Sequence, residues 1–319
     1  MRRREFVVGT AGAGAALALF PAGLAGLERE TPAGGLERRA LGRTGEKLSF
    51  IGFGGIVVKD ATTEQAAERV RLAIDAGINY FDVAPTYGNA EEMLGPALEP
   101  HRKDVFLACK TQKRTKADAL AELDQSLKKL RTSHFDLYQH HAVTKTEDVK
   151  TIFGPGGAME AFEEAKKAGK VRFLGFSAHS VEAATALIDG YDFDTILFPV
   201  NFATWHAGNF GPQVLEKAKA KGMGILCLKA MAKGRLEGER RYEKCWYEPL
   251  DDPAEAALGL RFTLSHPVTA AVPPGDEGLF QMAVKLARDF QPLTDDEAKT
   301  LKARAAAGTP LFRYPSADA

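Results

Sequence analysis

The chain has 319 residues, with 42 basic and 42 acidic side chains and so no formal net charge. That balance argues against nucleic acid or an anionic surface as the main partner, because both select for a basic excess. The 3 cysteines form no Cys-x-x-Cys pair, which leaves zinc and iron–sulfur sites without support, and no metal site is expected.

The N-terminus opens Met1-Arg2-Arg3-Arg4-Glu5-Phe6-Val7 and continues as an Ala/Gly-rich apolar run to Leu24. Positive charge, a weakly apolar run and small residues at Gly23 and Ala25 predict a signal peptide over residues 1–25, cleaved after Ala25. Arg3-Arg4-x-Phe6-Val7 resembles a twin-arginine signal, which makes the twin-arginine export machinery an expected partner and the periplasm, or another exported location, the expected destination. The other readings are a plain Sec signal or an uncleaved membrane anchor; the run is Gly-rich and weakly apolar, which disfavours a permanent span, so no stable membrane span is expected in the mature chain. Residues 26–36 read as a Gly/Pro/Glu linker and residues 37–315 as the folded body.

Leu41-Gly42-Arg43-Thr44-Gly45 reads as a turn between two short strands, and a strand then runs from Ser49 into Gly52, Gly54 and Gly55. Thr62-x-x-Gln65 is a capping box opening a helix to Ala76, which Gly77 ends. The strand beginning at Asn79 reaches Asp82 and breaks at Pro85, two residues before Tyr87. The alternation then repeats: helix 90–98, strand 105–110, helix 117–130, strand 135–139, helix 157–168, strand 171–176, helix 180–188, strand 195–199, helix 212–221, strand 224–228, helix 253–265, strand 268–272 and helix 277–289. Thr294-x-x-Glu297 caps one further helix to Ala306. Eight strand–helix units in about 250 residues, with short apolar strands, predict an α/β fold: a (β/α)8 TIM barrel with an N-terminal β-hairpin and an extra C-terminal helix. A doubly wound sheet would want a Gly-rich phosphate turn after its first strand, which Gly52-Phe53-Gly54-Gly55 matches poorly.

In a barrel, functional residues lie at the C-terminal ends of strands. Those ends carry Asp82, Lys110, His141 and Ser177, with Tyr87 in the loop after Asp82. Each alone is an ordinary cap, surface or packing residue; together they form a coherent set. A phenol titrates near ~10, and a nearby ammonium is expected to lower that value. Asp82 would hold Lys110 charged, and His141 would orient a carbonyl oxygen toward the phenol. That describes proton delivery to a carbonyl receiving hydride, and hydride requires a bound nicotinamide.

From Leu41–Gly45, Phe81-Asp82-x-Ala84-x-x-Tyr87-Gly88, Lys110, Asp136–His141 and Gly175-Phe176-Ser177, the chain resembles an aldo-keto reductase over residues 37–315. The resemblance implies a catalytic tetrad of Asp82, Tyr87, Lys110 and His141, with Tyr87 as general acid in reduction and base in oxidation. His141 rather than His140 matches the family position, and His140 alternates to the other strand face. The implied reaction interconverts a carbonyl (aldehyde, ketone or sugar) and an alcohol, with NADP(H) favoured over NAD(H). The other reading is a cofactor-binding barrel with a regulatory or sensing role and little turnover.

Cofactor contacts are expected from Gly54, Asp82, Ser177, Asn201, Lys229, Met231 and Gly275. Several depart from the family pattern. The run Ser177-Ala178-His179 lacks the usual Asn, Pro199 replaces a common Gln with Asn201 close by, and Lys229-x-Met231 stands where an aromatic often stacks on the nicotinamide. The eighth loop, Val272–Gly278, has Asp276 and Glu277 but no basic residue, so Lys233 and Arg235 are alternative contacts for a 2′-phosphate. Phe202, Trp205, His206, Phe210, Tyr242, Trp246 and Tyr247 are the expected pocket lining, and residues 231–252 a lid.

Overall fold

The computed structural model describes residues 27–33 and 35–315. The expected signal peptide, residues 1–25, lies outside them.

Strands β1 (Arg29–Glu30), β2 (Arg38–Ala40) and β3 (Lys47–Ser49) form an antiparallel sheet, so part of the stretch read as a linker pairs with the hairpin. The barrel strands follow: β4 (Phe53–Gly54), β5 (Tyr80–Asp82), β6 (Phe106–Thr111), β7 (Phe135–Val143), β8 (Val171–Ala178), β9 (Thr195–Pro199) and β10 (Gly224–Leu228). After β10, the loop carries a two-stranded sheet of β11 (Ala232–Gly234) and β12 (Glu248–Pro249), and β13 (Ala270–Val272) is the eighth barrel strand. All eight are parallel and consecutive in space, and a bridge between Ile51 and Ala271 brings the first and last together. The expected strand from Ser49 is broken. Its hairpin part ends at Ser49, and Ile51 then bridges to Ala271 before β4 begins.

Helices cover the strands as the apolar periodicity predicts, from Thr63–Asp75 to Asp295–Ala306. Both predicted capping boxes are present, at Thr62/Gln65 and Thr294/Glu297. Two helices went unread, Thr146–Phe153 and Phe202–Ala207, each an insertion between a strand end and the covering helix. They have 8 and 6 residues, too few for a 3.6-residue period to stand out. All 3 cysteines are buried and unpaired. Among the described residues no helix is long and apolar enough to cross a membrane.

The barrel interior is filled by Tyr80, Phe106, Leu137, Leu197, Leu226 and Ala270, joined from the hairpin by Leu41 and Leu48. The hairpin therefore closes the N-terminal end of the barrel and leaves the C-terminal end as the open one. Its anchor is Arg39, which is wholly buried. Its Nη1 donates to the carbonyls of Leu264 (2.8 Å) and Val268 (3.0 Å), and its Nε pairs with Glu37 at 2.6 Å. Removing this side chain strands two buried carbonyls that no water can reach. Arg39→Ala is therefore expected to lower the unfolding free energy by about 3 kcal/mol, measured by urea denaturation. A change below about 1 kcal/mol would show that the hairpin is held by its leucines alone.

Candidate active site

Register brings the site together. β5 and β6 pair Asp82 with Ala108, and β6 and β7 pair Lys110 with Gln139, so the ends of three neighbouring strands present Asp82, Lys110 and His141 at one mouth. Asp82 and Lys110 are 2% and 0% exposed and form a short ion pair. The other carboxylate oxygen of Asp82 accepts from the Tyr80 hydroxyl (3.2 Å) and from Gln139 Nε2 (3.1 Å). Three donors thus satisfy one buried carboxylate, where an unpaired acid would not be tolerated. Tyr80 and Gln139 were not singled out from the sequence. The signal was the strand period of two, which places Tyr80 on the same inward face as Asp82.

Tyr87 follows Pro85 in the loop, with the turn completed at Gly88, whose φ of +63° suits a residue without Cβ. The Lys110 ammonium lies 5.1 Å from the centre of the Tyr87 ring, and the His141 ring meets that ring edge-on at 5.7 Å. β7 changes register between His140 and Val143, with Ala142 at φ +51°, so the strand is bulged where His141 is aimed. His140 faces away, stacked on Phe162 at 3.8 Å in the helix layer. Arg114 donates to the His141 carbonyl at 2.8 Å, and Thr86 Oγ1 lies 3.5 Å from His141 Nδ1.

Burial governs the protonation states. It pushes the Tyr87 phenol above its ordinary value despite the opposing pull of Lys110. The expectation that Lys110 brings this phenol below ~10 is thus corrected: desolvation of the phenolate is the larger effect. For Lys110 burial acts downward, but Asp82 and Tyr87 outweigh it and raise the ammonium's pKa. His141 is lowered to about 2, chiefly by burial and then by Lys110. His179 is lowered to about 3 by burial and by Lys229. At neutral pH the site therefore presents a protonated phenol, a charged lysine and neutral imidazoles.

These groups line a cavity of about 170 Å3 together with Gly54, Ser177, His179, Lys229, Trp246 and Gly275. Ser177 Oγ accepts from the Ala142 N–H at 2.8 Å, leaving its own proton free to donate. The two glycines serve packing: a Cβ at Gly275 would meet Ile56 at 2.2 Å, and one at Gly54 would meet Val272 at 3.0 Å. Asn201 and Met231 do not line the cavity. Asn201 caps the Phe202–Ala207 helix, its Oδ1 accepting from Thr204 N at 2.9 Å, and Met231 is buried in the core behind the mouth. Phe202, Trp205, His206 and Phe210 are corrected likewise. Phe210 stacks between Phe198 and Phe312, and Trp205 and His206 pack on Phe262, so this loop forms its own core. Of the second aromatic group, Trp246 and Tyr247 line the cavity, whereas Tyr242 donates to Asp251 at 3.0 Å outside it. The acids of the eighth loop are occupied: Asp276 caps the Glu277–Arg288 helix and Glu277 pairs with Arg69. Lys233 pairs with Glu255 at 3.6 Å, away from the cavity.

The sequence profile described as the aldo/keto reductase family matches residues 50–299. The chain belongs to this family. L-galactose dehydrogenase of Arabidopsis thaliana is 29% identical over 217 residues, 63% of this chain and 67% of that protein. The holo form of aldo-keto reductase AKR11C1 from Bacillus halodurans superposes with a TM-score of 0.67 at 24% identity, covering 85% of this chain and 97% of that one. An aldo-keto reductase from Klebsiella pneumoniae in complex with NADPH superposes with a TM-score of 0.65 at 23% identity, over 84% and 93% of the two chains. Both structures share the fold.

In this aldo/keto reductase the loop after β10 crosses the mouth. Lys244 donates to the Val57 carbonyl at 3.1 Å, joining it to the turn of 3-10 helix after β4. A groove of about 410 Å3 leads outward from Tyr87, Lys244 and Trp246 past Lys59 and Arg240.

The buried histidines make the fold acid-sensitive. A folded-state pKa near 2 or 3, against an unfolded value of about 6.5, gives stability that is complete above pH 6.5 and lost as pH falls toward those folded values. Below about pH 5.5 each should contribute a slope of roughly 1.4 kcal/mol per pH unit. His141→Gln and His179→Gln are each expected to reduce the measured slope of unfolding free energy against pH by about that amount. An unchanged slope would show that the imidazole charges within the folded protein.

Proposed function

We propose that this reductase reduces an aldehyde, ketone or sugar carbonyl, with Tyr87 as the proton donor. The observation that supports it is the pairing of a phenol kept protonated by burial with the Asp82–Lys110 ion pair beneath it. A nicotinamide, when bound, supplies or accepts the hydride. His141, neutral, would hold the carbonyl oxygen by a hydrogen bond from Nε2, the tautomer in which Nδ1 accepts from Thr86 Oγ1 across 3.5 Å. Tyr87 then transfers its proton to that oxygen as negative charge develops there. Lys110 stabilises the phenolate left behind, and Asp82 keeps Lys110 charged and fixed. In oxidation the same phenolate removes the proton.

The residues present fit such a cofactor. Ser177 has a free hydroxyl proton and His179 Nε2 is buried without a partner among the described residues, and together they suit a carboxamide. Lys59, Arg240 and Lys244, with Glu243 among them, give the outer groove a net positive lining that suits a diphosphate, and NADP(H) is proposed over NAD(H) on the family resemblance. Trp246, 49% exposed at the mouth, offers a flat apolar surface to an apolar or sugar substrate.

Tyr87→Phe is expected to reduce aldehyde-dependent NADPH oxidation about a thousandfold while NADPH still quenches protein fluorescence. Turnover equal to the unaltered protein would sink this assignment. Export is proposed from Arg3-Arg4 and the apolar run that follows. Fractionated cells should yield a periplasmic protein beginning at Gly26; a full-length cytoplasmic protein would overturn it.

A further inference from the structure

We infer that Lys229 discriminates between the redox states of a bound nicotinamide, disfavouring the oxidised, positively charged ring and hastening its departure. This rests on the function proposed above.

Lys229 is built unlike the other two lysines of the cavity, of which Lys244 is tied to the Val57 carbonyl. Lys110 is neutralised by Asp82. Among the described residues no carboxylate pairs with Lys229; its ammonium lies 5.0 Å from the Trp246 ring centre and 5.3 Å from that of Tyr247. Its backbone is left-handed, with φ +67°, a conformation that a long side chain adopts at a cost.

Its place bears on the chemistry. A carbonyl whose oxygen meets Tyr87 must have its carbon in this cavity, and the hydride donor must lie against that carbon. With about 170 Å3 between Tyr87 and Lys229, the ring that donates hydride also lies near Lys229. The reduced ring is neutral and the oxidised ring carries a positive charge, so only the oxidised ring is repelled. The low-dielectric surroundings strengthen that repulsion.

The groups facing Lys229 come from several elements. They are His179 at the end of β8, His141 on β7, and Cys245, Tyr247 and Lys244 on the crossing loop. The imidazoles titrate near 3 and 2, and burial raises the Cys245 thiol and the Tyr247 phenol, so none of these four carries charge at neutral pH. Burial lowers Lys229 to about 8. Its folded value is thus depressed, and the repulsion is present below that pH and fades above it. Lys244 is also lowered, by burial and then by Arg69, so pH alone does not isolate Lys229 and a variant is needed.

The test is equilibrium binding of NADPH and NADP+ to the full chain, by fluorescence titration and calorimetry, at pH 6.5 and pH 9.5, repeated with NADH and NAD+. The 2′-phosphate is common to both redox forms and cancels in their ratio. The unaltered protein is expected to bind NADPH at least ~10-fold more tightly than NADP+ at the lower pH, with the ratio narrowing at the higher. Lys229→Met should bring the two affinities within about threefold at both pH values, chiefly by tighter NADP+ binding. Equal weakening of both forms in Lys229→Met would overturn the inference and make Lys229 a diphosphate contact instead. If that variant does not fold, Lys229→Gln and the pH dependence of the unaltered protein still decide: a ratio that does not narrow refutes the inference. Binding of none of the four by the unaltered protein would refute the parent reading, an outcome distinct from binding without discrimination.

Discussion

The site depends on one buried ion pair. Asp82 and Lys110 stand on adjacent strands with almost no solvent exposure, and neither charge would be stable there alone. The strand register sets them side by side, and Tyr80 and Gln139 complete the carboxylate's hydrogen bonds from the same inward layer. Because Asp82 is satisfied by three donors, Lys110 retains a full charge whose unspent field is directed at Tyr87. The phenol is left between two opposed influences, and burial prevails. On the proposed mechanism, a group held in its acid form beside a fixed ammonium is loaded before a substrate arrives, and the ammonium would stabilise the anion once the proton has gone. Preorganisation of that kind lowers the barrier without moving any part of the protein.

The two ends of the barrel divide the work. The N-terminal end is sealed by leucines of the hairpin and by Arg39, whose contacts are to backbone carbonyls and whose role is stability. At the C-terminal end the strands stop at polar residues, the crossing loop is joined to the turn after β4 by the Lys244 bond to Val57 and to the C-terminal segment by Arg235 N–H to Thr309 and by packing on Leu311, and cavity and groove open beneath it. The hairpin, by contrast, is tied into the core at every turn.

The periodic parts of the fold were legible because periodicity is a local property. Helix faces, both capping boxes and the short apolar strands follow from residues near one another in the chain. That Asp82, Tyr87, Lys110 and His141 meet at one mouth was legible for a related reason: strand ends in a closed barrel are ordered by the sequence. What failed depended on short or irregular segments. Asn201 looked like a cofactor contact because it follows β9, but the 6-residue helix behind it, too short to announce itself, takes its side chain as a cap. The aromatics of that helix went the same way. The sign of the Tyr87 shift could not be read either, since it depends on how deeply the hydroxyl is buried, which only packing determines.

Polar groups without partners are rare in folded interiors, and their distribution is informative. Around this cavity they gather on one wall: His179 Nε2, the free proton of Ser177 and the ammonium of Lys229, the last on left-handed backbone. Behind the opposite wall the Asp82 carboxylate is satisfied by Lys110, Gln139 Nε2 and Tyr80, while Gln139 Oε1, which does not line the cavity, has no partner among the described residues. This asymmetry follows the chemistry of the proposed reaction. The satisfied wall must act as a rigid acid and its counter-charge, so any looseness there would misplace a proton. The unsatisfied wall faces the region a cofactor ring would occupy, and hydrogen bonds left open in the protein alone are the ones a bound group can complete. Neutral imidazoles suit this wall better than charged ones, because they add donors without adding charge. Lys229 then stands on that wall as a cation with no carboxylate partner among the described residues, placed where, on the proposed function, the charge of the ligand would change with each turnover.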